Sequence, residues 1–308
     1  MPENIAVIIP CFNEAAAIGR VIEDFRTSLP GARIWVFDNN STDGTADVAR
    51  AAGAVVRHEP FQGKGNVVRR MFADVDADIY VMVDGDDTYD AASAPKLVAR
   101  LVDQQLDMVT GARIFPGSYR RGHVFGNRVL TGLVATLFRR EIGDMLSGYR
   151  VLSRRFVKSF PLMATGFDIE PELTIHALEL RMKTAEVETP YRDRGEGSVS
   201  KLRTFGDGFK ILRVITHLLK EERPVEFFGT IFVVLALLSI AEIVPVVLEF
   251  MRTGQVPRIP TAVLATGTML LAFLSLACGL ILDTVTLGRR ELKRLHYLAQ
   301  PVPGADRP

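Results

Sequence analysis

Two apolar stretches near the carboxyl end of the chain restrict its fold more than any other feature of the sequence. Phe227–Val247 contains a single acidic residue, Glu242, and Pro260–Leu282 contains no charged residue. Each stretch has the length of about 20 residues that a helix needs to cross a hydrocarbon core of ~30 Å. The connection between them, Leu248–Ile259, is short enough for a tight hairpin. The sequence therefore predicts two transmembrane helices, with a pair of buried helices in a water-soluble core as the alternative.

Basic residues near this hairpin concentrate outside it. They are Lys220, Arg223, Arg289, Arg290, Lys293 and Arg294. Only Arg252 and Arg258 lie in the connection between the two stretches. The apolar stretches predict an integral protein of the cell or inner membrane, and the basic residues predict its orientation, because the cytoplasmic flanks of membrane helices carry an excess of Lys and Arg. Both the N-terminal part of the chain and its C-terminal tail are expected in the cytosol.

The segment just before the hairpin, Lys201–Lys220, has the pattern of a basic amphipathic helix. Its apolar residues recur at helical spacing and are Phe205, Phe209, Leu212, Ile215 and Leu219. Such a helix can lie in the membrane interface, and a helix packed on a soluble domain is the alternative. The predicted organisation is a cytosolic domain over residues 1–200, an interfacial helix over 201–225, a transmembrane hairpin over 226–288, and a basic, then disordered, cytosolic tail over 289–308.

Short apolar runs alternate with helical patterns through the first part of the chain. The apolar runs are Ile5–Ile9, Ile34–Phe37, Ala54–Arg57, Ile79–Val83, Met108–Gly111 and Lys183–Thr189. The helical patterns start near Asn13 and then cover Gly44–Ala52, Gly63–Phe72, Ala94–Gln104, Gly126–Phe138 and Glu170–Leu180. Repeated β-α-β units of this length predict an α/β fold, with a mostly parallel sheet covered by helices on both faces.

Two carboxylates, Asp84 and Asp86, follow the apolar run Ile79–Val83. The end of a strand in an α/β sheet is where ligands usually bind. Two carboxylates there can hold a hard divalent cation whose other ligands are substrate phosphates and water. A solvated acidic turn is the alternative. A calcium loop fits poorly, because the twelfth position counted from Asp84 is Pro95 rather than glutamate.

Three other segments at strand or helix ends allow either a structural or a binding role. Glu14 can accept hydrogen bonds from a base or a ribose, or stabilise the first turn of a helix. Asp38 and Asn39 can bind a nucleoside, while their segment can also supply turn and cap chemistry. Gly63–Gly65, with Lys64 at its centre, can bring amides and an ammonium group near a phosphate, or form a structural turn.

Five motifs together resemble the family 2 inverting glycosyltransferases. They are Pro10–Glu14, Phe37–Thr45, Asp84–Asp86, Ser147–Arg150 and Arg194–Lys201. The first three are similar to the nucleotide-sugar motifs of that family. The last two are similar to later motifs of its polyprenyl-phosphate branch, which includes the dolichol-phosphate mannose synthases. The similarity extends over residues 4–220, and the two apolar stretches are also similar to the C-terminus of that branch.

The resemblance implies a Rossmann-like domain of the GT-A type that binds a nucleotide sugar. Lys64, from its place at a helix start, and the residues of the first three motifs are assigned to the nucleotide: Pro10, Phe12, Glu14, Phe37, Asp38, Asn39, Lys64, Asp84, Gly85 and Asp86. The resemblance also implies that Asp84 and Asp86 hold Mg²⁺ or Mn²⁺ against the diphosphate. At Thr88 the chain departs from the dolichol-phosphate mannose synthases, which commonly carry glutamine there. That departure leaves a further metal contact and the identity of the donor open.

A lipid phosphate needs several donors, and the basic residues in the later half of the domain can supply them, because guanidinium groups suit a phosphate. The assigned residues are Arg113, Arg121, Ser147, Arg150, Arg194 and Lys201, of which the motif match favours Ser147, Arg150, Arg194 and Lys201. Ser147 and Arg150, together with Asp86, are predicted to act in catalysis, and Asp144 is a candidate helper. Solvated surface charge is the alternative for any single basic residue.

The predicted function is inverting transfer of one sugar from a UDP- or GDP-linked donor to polyprenyl phosphate at the cytosolic membrane face. The expected partners are the donor, the lipid acceptor and the bilayer, and a homo-oligomer is left open. No nucleic-acid partner is expected, because Lys plus Arg number 37 and Asp plus Glu 36. A processive polysaccharide synthase is an alternative, but its Gln-x-x-Arg-Trp motif is absent and Trp35 is the only tryptophan. A non-catalytic membrane adaptor is the remaining alternative.

Overall fold

The computed structural model describes residues 4–114, 143–161, 169–192, 220 and 223–303. The chain divides into two compact units, one comprising Met1–Phe205 with Leu292–Pro308 and the other comprising Gly206–Glu291. The predicted helix Gly126–Phe138 and nearly all of the predicted interfacial helix over 201–225 lie outside the described residues.

The first unit is built on a sheet that is mostly parallel. Its strands in the described residues are β1 (Ile5–Cys11), β2 (Arg33–Asp38), β3 (Val55–His58), β4 (Ile79–Met82), β5 (Met108–Ile114), β6 (Arg150–Ser153) and β7 (Thr184–Pro190). They are hydrogen-bonded in the order β3-β2-β1-β4-β6-β5-β7. Strand β6 runs antiparallel between β4 and β5, while all other neighbours are parallel. The predicted α/β fold with a mostly parallel sheet is confirmed.

Helices cover both faces of this sheet. They are α1 (Ala15–Ser28), α2 (Thr45–Ala51), α3 (Lys64–Asp74), α4 (Ala94–Asp103), α5 (Arg154–Ser159) and α6 (Ile169–Glu179). Successive strand residues alternate between two cores, so that Ile9 packs with residues of α1 and α4, and Ile8 with residues of α3, α5 and α6. This alternation is the geometry of a strand. Burial of both faces explains why the strands read as nearly continuous apolar runs.

The sequence does not predict strand β6. Its four residues begin with an arginine and follow a turn, so they show neither a long apolar run nor a clear alternation. All four side chains are nevertheless buried, because β6 pairs with β4 on one side and β5 on the other. The helix α5 follows at once, and the Ser153 hydroxyl caps it by accepting the Phe156 N–H at 3.2 Å.

The direction in which strands are added reverses between β1 and β4. From β1 the chain adds β2 and then β3 on one side, and it places β4 on the other side of β1. In open parallel sheets, ligands bind outside the carboxyl ends of the strands at such a switch point. The loops after β1, β2 and β4 therefore meet at one edge of the sheet, and they carry the motifs Pro10–Glu14, Phe37–Thr45 and Asp84–Asp86.

The second unit contains most of two long helices, α7 (Pro224–Thr253) and α8 (Ile259–Leu298). Both are long and apolar enough to cross a membrane, and only 11% and 17% of their most apolar segments are buried. Such exposure is expected of lipid-facing surfaces and not of a water-soluble core. Hydroxyls join the helices: Ser239 donates to the Ala265 carbonyl at 2.7 Å, Ser275 to the Phe228 carbonyl at 3.0 Å, and Thr268 to the Glu242 carboxylate at 3.4 Å. Hydrogen bonds of this kind are common between membrane helices.

Helix α8 continues beyond its apolar stretch and ends at Leu298, so the basic segment that the sequence assigns to a tail is helical. Its last turns belong to the first unit. There, the Lys293 ammonium lies 2.6 Å from the Glu179 carboxylate. The Tyr297 hydroxyl donates to the buried Asp107 carboxylate at 3.1 Å. The segment of α8 from Leu292 to Leu298 is thus part of the first unit.

Replacement of Tyr297 by phenylalanine is expected to lower the free energy of unfolding of the first unit by about 1–3 kcal/mol, because it removes a hydrogen bond to a buried carboxylate. The fluorescence of Trp35, the only tryptophan, reports the unfolding of this unit. Leu295→Phe, at an exposed side chain in the same part of α8, is the matched control. Identical unfolding curves for Tyr297→Phe and the unmodified protein would show that the contact with Asp107 contributes no stability.

Candidate active site

The loops that follow β1 and β2 are hydrogen-bonded to each other. Asn13, at a φ of 56°, donates its N–H to the Ser41 hydroxyl and accepts the Thr42 N–H, both at 2.9 Å. The Asp43 carboxylate accepts the Ala15 N–H at 3.0 Å, at the start of α1. The turn and cap chemistry that the sequence allows for this segment is therefore present, and it fixes one rim of the crevice.

Asp38 ends strand β2 with its side chain buried. Its Oδ2 accepts the Ser41 N–H at 3.3 Å and lies 3.6 Å from His58 Nδ1. Its Oδ1 is buried and has no hydrogen-bond partner within the part of the chain that the structure describes. Because buried acceptors in folded proteins are nearly always paired, this oxygen is suited to a donor from a bound molecule. A nucleobase N–H or a ribose hydroxyl is such a donor.

The other residues assigned to the nucleotide differ in how accessible they are. Pro10, Phe12 and Glu14 are partly buried, at the carboxyl end of β1 and just before α1. Phe37 is fully buried and stacks on Trp35, with 6.5 Å between the ring centroids. Its side chain therefore supports the site from the core, and the assignment of Phe37 to the nucleotide stays a prediction.

Asn39 holds the loop between β3 and α3. Its amide donates to the carbonyls of Glu59 and Phe61 at 2.9 and 2.8 Å, and its oxygen accepts the Gly63 N–H at 2.8 Å. Both N–H bonds of the Asn39 amide and one lone pair of its oxygen are thus used within the protein. Asn39 affects the site by holding the loop that leads into Lys64, the first residue of α3.

Lys64 bridges two carboxylates. Its ammonium lies 2.6 Å from Asp84 Oδ1 and 2.5 Å from Glu170 Oε1. Burial alone would lower the pKa of Lys64, but the charges of Asp84 and Glu170 and their hydrogen bonds raise it. The side chain therefore stays an ammonium, and it brings a fixed positive charge to the carboxyl edge of β4.

Glu170 is a site residue that the sequence analysis did not find. It lies in the first turn of α6, with its side chain only 9% exposed. An acidic residue in a first turn usually interacts with the helix dipole. The sequence pattern therefore does not indicate the contact between Glu170 and Lys64. Glu170 and Lys64 are 106 residues apart in the sequence, so only the fold brings them together.

Asp86 is buried, whereas Asp84 is partly exposed. Oδ1 of Asp86 accepts the Thr88 hydroxyl at 2.6 Å and the Thr88 N–H at 3.4 Å. The residue at which the chain departs from the mannose synthase pattern thus orients the second carboxylate. Gly85, between the two, packs closely on the first strand, because a Cβ there would lie 2.6 Å from the Cys11 sulfur.

The oxygen donors of Asp84 and Asp86 fit Mg²⁺ or Mn²⁺. Both cations prefer oxygen ligands, and Mg²⁺ is usually held by one or two carboxylates together with substrate phosphates and water. Asp84 Oδ1 already contacts the Lys64 ammonium, so this position accommodates positive charge. Among the described residues, no group of three or more His, Cys, Asp or Glu side chains forms a metal cage. Water or the phosphates of a substrate would supply the other ligands of a cation held here.

Ser147 and Arg150 lie inside the fold, and their contact with an acceptor phosphate stays a prediction. Arg150 is fully buried. Its guanidinium donates to the carbonyls of Ser147 and Met145 at 3.0 and 2.7 Å, and to the Thr174 hydroxyl at 2.9 Å. The Ser147 hydroxyl donates to the Gly111 carbonyl at 2.6 Å. Arg150 therefore fixes the turn before β6 against helix α6.

The turn fixed by Arg150 packs Gly148 against Asp84. A Cβ at residue 148 would lie 2.5 Å from Asp84 Oδ2, so this position has no space for a side chain. The Gly148 N–H donates to the Tyr89 hydroxyl at 2.8 Å, which holds the turn in place. The glycine of the Ser-Gly-Tyr-Arg motif thus forms part of the wall around the Asp84 carboxylate.

Arg113 forms a bidentate ion pair with Asp144, with 2.7 Å between Nε and Oδ2 and 2.8 Å between Nη2 and Oδ1. Burial would raise the pKa of Asp144, but the bond and charge of Arg113 lower it. Asp144 therefore serves to hold Arg113 and is poorly suited to take up a proton. The remaining residues assigned to the acceptor, Arg121, Arg194 and Lys201, lie outside the described residues.

Comparison with known proteins agrees with this geometry. The chain is similar to glycosyltransferase AglJ of Haloferax volcanii, with 31% identity over 302 residues that cover 96% of this chain and 99% of that protein. It is also similar to the dolichyl-phosphate hexose transferase of the same organism, with 32% identity over 225 residues that cover 72% of this chain and 96% of that protein.

A solved structure shares the fold. The glucosyl-3-phosphoglycerate synthase of Mycobacterium tuberculosis, in complex with Mn²⁺, UDP-glucose and phosphoglyceric acid, matches with a TM-score of 0.58 and 27% identity, covering 71% of this chain and 79% of that chain. The model of the family described as glycosyl transferase family 2 matches residues 6–159. The resemblance drawn from the motifs is thereby confirmed, and the chain belongs to glycosyltransferase family 2.

Proposed function

We propose that this glycosyltransferase transfers a single sugar from a nucleotide-sugar donor to polyprenyl phosphate, with inversion, at the cytosolic face of the membrane. The observation that carries the proposal is the charged cluster of Lys64, Asp84 and Glu170 beside buried Asp86, at the switch point of the sheet. Two further findings support it. The same chain has two helices able to cross a membrane, and a relative named dolichyl-phosphate hexose transferase matches most of its length.

The donor is proposed to bind across the carboxyl ends of β1, β2 and β4. Asp38 Oδ1 would accept a hydrogen bond from the base or the ribose, and Phe12 would pack on the base. Lys64 would face the diphosphate. Asp84 and Asp86 would hold Mg²⁺ or Mn²⁺, which neutralises charge on a leaving diphosphate when it is bound. The solved relative carries UDP-glucose, which favours a uridine nucleotide over a guanosine nucleotide.

The proposed reaction is a direct displacement at the anomeric carbon. An oxygen of the acceptor phosphate attacks that carbon on the face opposite the diphosphate. The new carbon–oxygen bond forms while the bond to the diphosphate oxygen breaks, and the nucleoside diphosphate leaves with the bonding electrons. The second pKa of a phosphate monoester is about 6, so the acceptor is largely a dianion at neutral pH. A protein base is therefore not required, which agrees with the pairing of Asp144 to Arg113.

The acceptor phosphate is proposed to meet basic side chains beside the end of β5. Arg113 lies in that strand and is held by Asp144, with its side chain 13% exposed. Arg194 and Lys201 are proposed to complete the phosphate site on the strength of their motif, and Arg121 on the strength of its basic side chain. Ser147 and Arg150 are proposed to act from behind, by fixing the wall around Asp84.

The first unit is proposed to lie on the cytosolic side of the membrane. Basic residues flank the hairpin, as expected for cytoplasmic ends of membrane helices. In addition, Leu292–Pro308 folds with Met1–Phe205, so the chain on both sides of the hairpin belongs to one unit. That arrangement agrees with a segment that crosses the bilayer an even number of times.

A donor and acceptor screen tests the proposal. The purified full-length protein, in lipid nanodiscs, is incubated with UDP- or GDP-linked sugars and with undecaprenyl phosphate or 3-phosphoglycerate, with and without Mg²⁺. A sugar-bearing lipid that forms only with the cation would support the proposal. Transfer to 3-phosphoglycerate alone would reassign the acceptor, and no transfer from any donor would favour a non-catalytic membrane adaptor.

Gly148→Ala is expected to lower kcat/KM for the donor by about 10- to 100-fold, because the added methyl group would push Asp84 out of position. Steady-state rates at several donor concentrations measure this effect. Gly19→Ala is the matched control, since a Cβ there would make only an ordinary contact of 3.4 Å with Val48. Equal activity of the Gly148→Ala and Gly19→Ala variants would show that the wall around Asp84 does not matter for the reaction.

A further inference from the structure

The Lys64 ammonium occupies a contact position on one of the two proposed cation ligands. It lies 2.6 Å from Asp84 Oδ1, with its side chain only 14% exposed. A divalent cation bound to the Asp84 carboxylate would lie close to the Lys64 ammonium and repel it. This repulsion is strong where water is largely excluded. Lys64 and the cation therefore compete for Asp84.

Glu170 offers Lys64 a second partner that does not belong to the cation site. Its Oε1 lies 2.5 Å from the ammonium, in a side chain that is 9% exposed. With Asp86, the cluster of three carboxylates and one ammonium carries two net negative charges, which a divalent cation neutralises. By contrast, the ion pair Lys293–Glu179, at 2.6 Å, joins one ammonium group to one carboxylate.

We propose that Glu170 is a positioning residue, which holds Lys64 while Asp84 exchanges the ammonium for a divalent cation. The inference rests on the proposed function, in which Asp84 binds the cation and Lys64 faces the diphosphate. In the exchange, the ammonium keeps its bond to Glu170 and gives up its bond to Asp84. Lys64 is then left beside the position at which the diphosphate of the donor binds.

Direct titration with Mn²⁺ tests the exchange. Free Mn²⁺ is measured by electron paramagnetic resonance with the full-length protein, in the absence of nucleotide, sugar and lipid acceptor. Lys64→Met is expected to bind Mn²⁺ about 3- to 10-fold more tightly, because the competing charge is gone. Glu170→Gln is expected to bind it more weakly by a similar factor, because Lys64 then pairs with Asp84 alone. In the Lys64→Met background, the effect of Glu170→Gln should fall below about twofold, as a double-mutant cycle requires of coupled residues.

Two sets of controls accompany this cycle. Lys293→Met and Glu179→Gln make the same changes in the other ion pair, and they should leave the affinity unchanged. The double variant Lys64→Met/Glu170→Gln removes both charges of the ion pair between Lys64 and Glu170, so neither is left buried without the other. Its affinity for Mn²⁺ can be measured even where Lys64→Met alone does not fold. It should bind Mn²⁺ at least as tightly as the unmodified protein.

Several outcomes would overturn the exchange. An equal loss of affinity from Glu170→Gln with and without Lys64 would mean that Glu170 acts on the cation directly. Unchanged or tighter binding by Glu170→Gln, or weaker binding by the double variant, would also exclude it. Because the titration uses no donor and no lipid, failure of the proposed acceptor leaves its result intact. Absence of Mn²⁺ binding in the unmodified protein and in Lys64→Met alike would remove both the exchange and the cation site.

Discussion

Asp86→Asn is expected to reduce kcat by on the order of 10³-fold while the protein still folds. Asparagine keeps the shape of the side chain, and its oxygen can still accept the Thr88 hydroxyl that lies 2.6 Å from Asp86 Oδ1. The substitution removes a negative charge from the proposed cation site, so the charge that develops on the leaving diphosphate is no longer balanced. Transfer of labelled sugar to undecaprenyl phosphate at saturating Mg²⁺ measures the effect.

The neighbouring residue provides the control for this substitution. Asp87 belongs to the same loop and forms an ion pair with Arg20 at 3.0 Å, in which the Arg20 side chain is 70% exposed. Asp87→Asn should therefore change kcat by less than about twofold, because exposed ion pairs contribute little. If Asp86→Asn were as active as Asp87→Asn, the buried carboxylate would have no part in the reaction.

Arg150→Met is expected to lower the free energy of unfolding of the first unit by about 3–5 kcal/mol, because three buried acceptors lose their donor and each such loss costs about 1–3 kcal/mol. The guanidinium is fully buried and satisfies the carbonyls of Ser147 and Met145 and the hydroxyl of Thr174. Methionine fills much of the volume but donates no hydrogen bond, so these acceptors would lose their donor within the fold. Chemical denaturation followed by tryptophan fluorescence measures the change. Arg100→Met, at an exposed arginine of α4, should alter stability by less than about 0.5 kcal/mol.

Kinetics distinguish the structural role of Arg150 from contact with the acceptor. If Arg150 only fixes the turn that packs Gly148 against Asp84, its loss should lower kcat and leave KM for undecaprenyl phosphate within about twofold. A large rise in that KM, with stability unchanged, would restore the role that the motif first suggested. Arg150→Met and the unmodified protein are compared at a temperature where both remain folded.

Much of the fold follows from the sequence because the sheet is buried on both faces. Strands such as Ile5–Cys11 and Ile79–Met82 consist mostly of apolar residues. They can therefore be recognised without knowing which strands lie beside them in the sheet. Strand β6 has no such pattern, since it is short and starts with an arginine that only the tertiary structure buries. The end of α8 was assigned to a tail for a related reason. Its charges end the hydropathy signal, although Tyr297 and Lys293 have partners in the domain.

The candidate site shows the same division between local and long-range information. Asp38, Asp84 and Asp86 follow strands directly, so their place at one sheet edge could be predicted from the order of elements. Glu170 reaches Lys64 from a distant helix, and nothing in its own neighbourhood indicates that contact. The motif match favours a phosphate-binding role for Arg150, and its burial against Thr174 of a distant helix is not visible in the sequence.

Mass spectrometry of the lipid after a single incubation is the most direct test of whether this site glycosylates polyprenyl phosphate. The purified protein in nanodiscs receives Mg²⁺, undecaprenyl phosphate and the nucleotide sugar found by the donor screen. We expect a lipid heavier than the acceptor by one sugar residue, with no added phosphate, and we expect no such product from Asp86→Asn. Lipid that stays unmodified while the donor is consumed, or that gains several sugars, would contradict single transfer to a lipid phosphate.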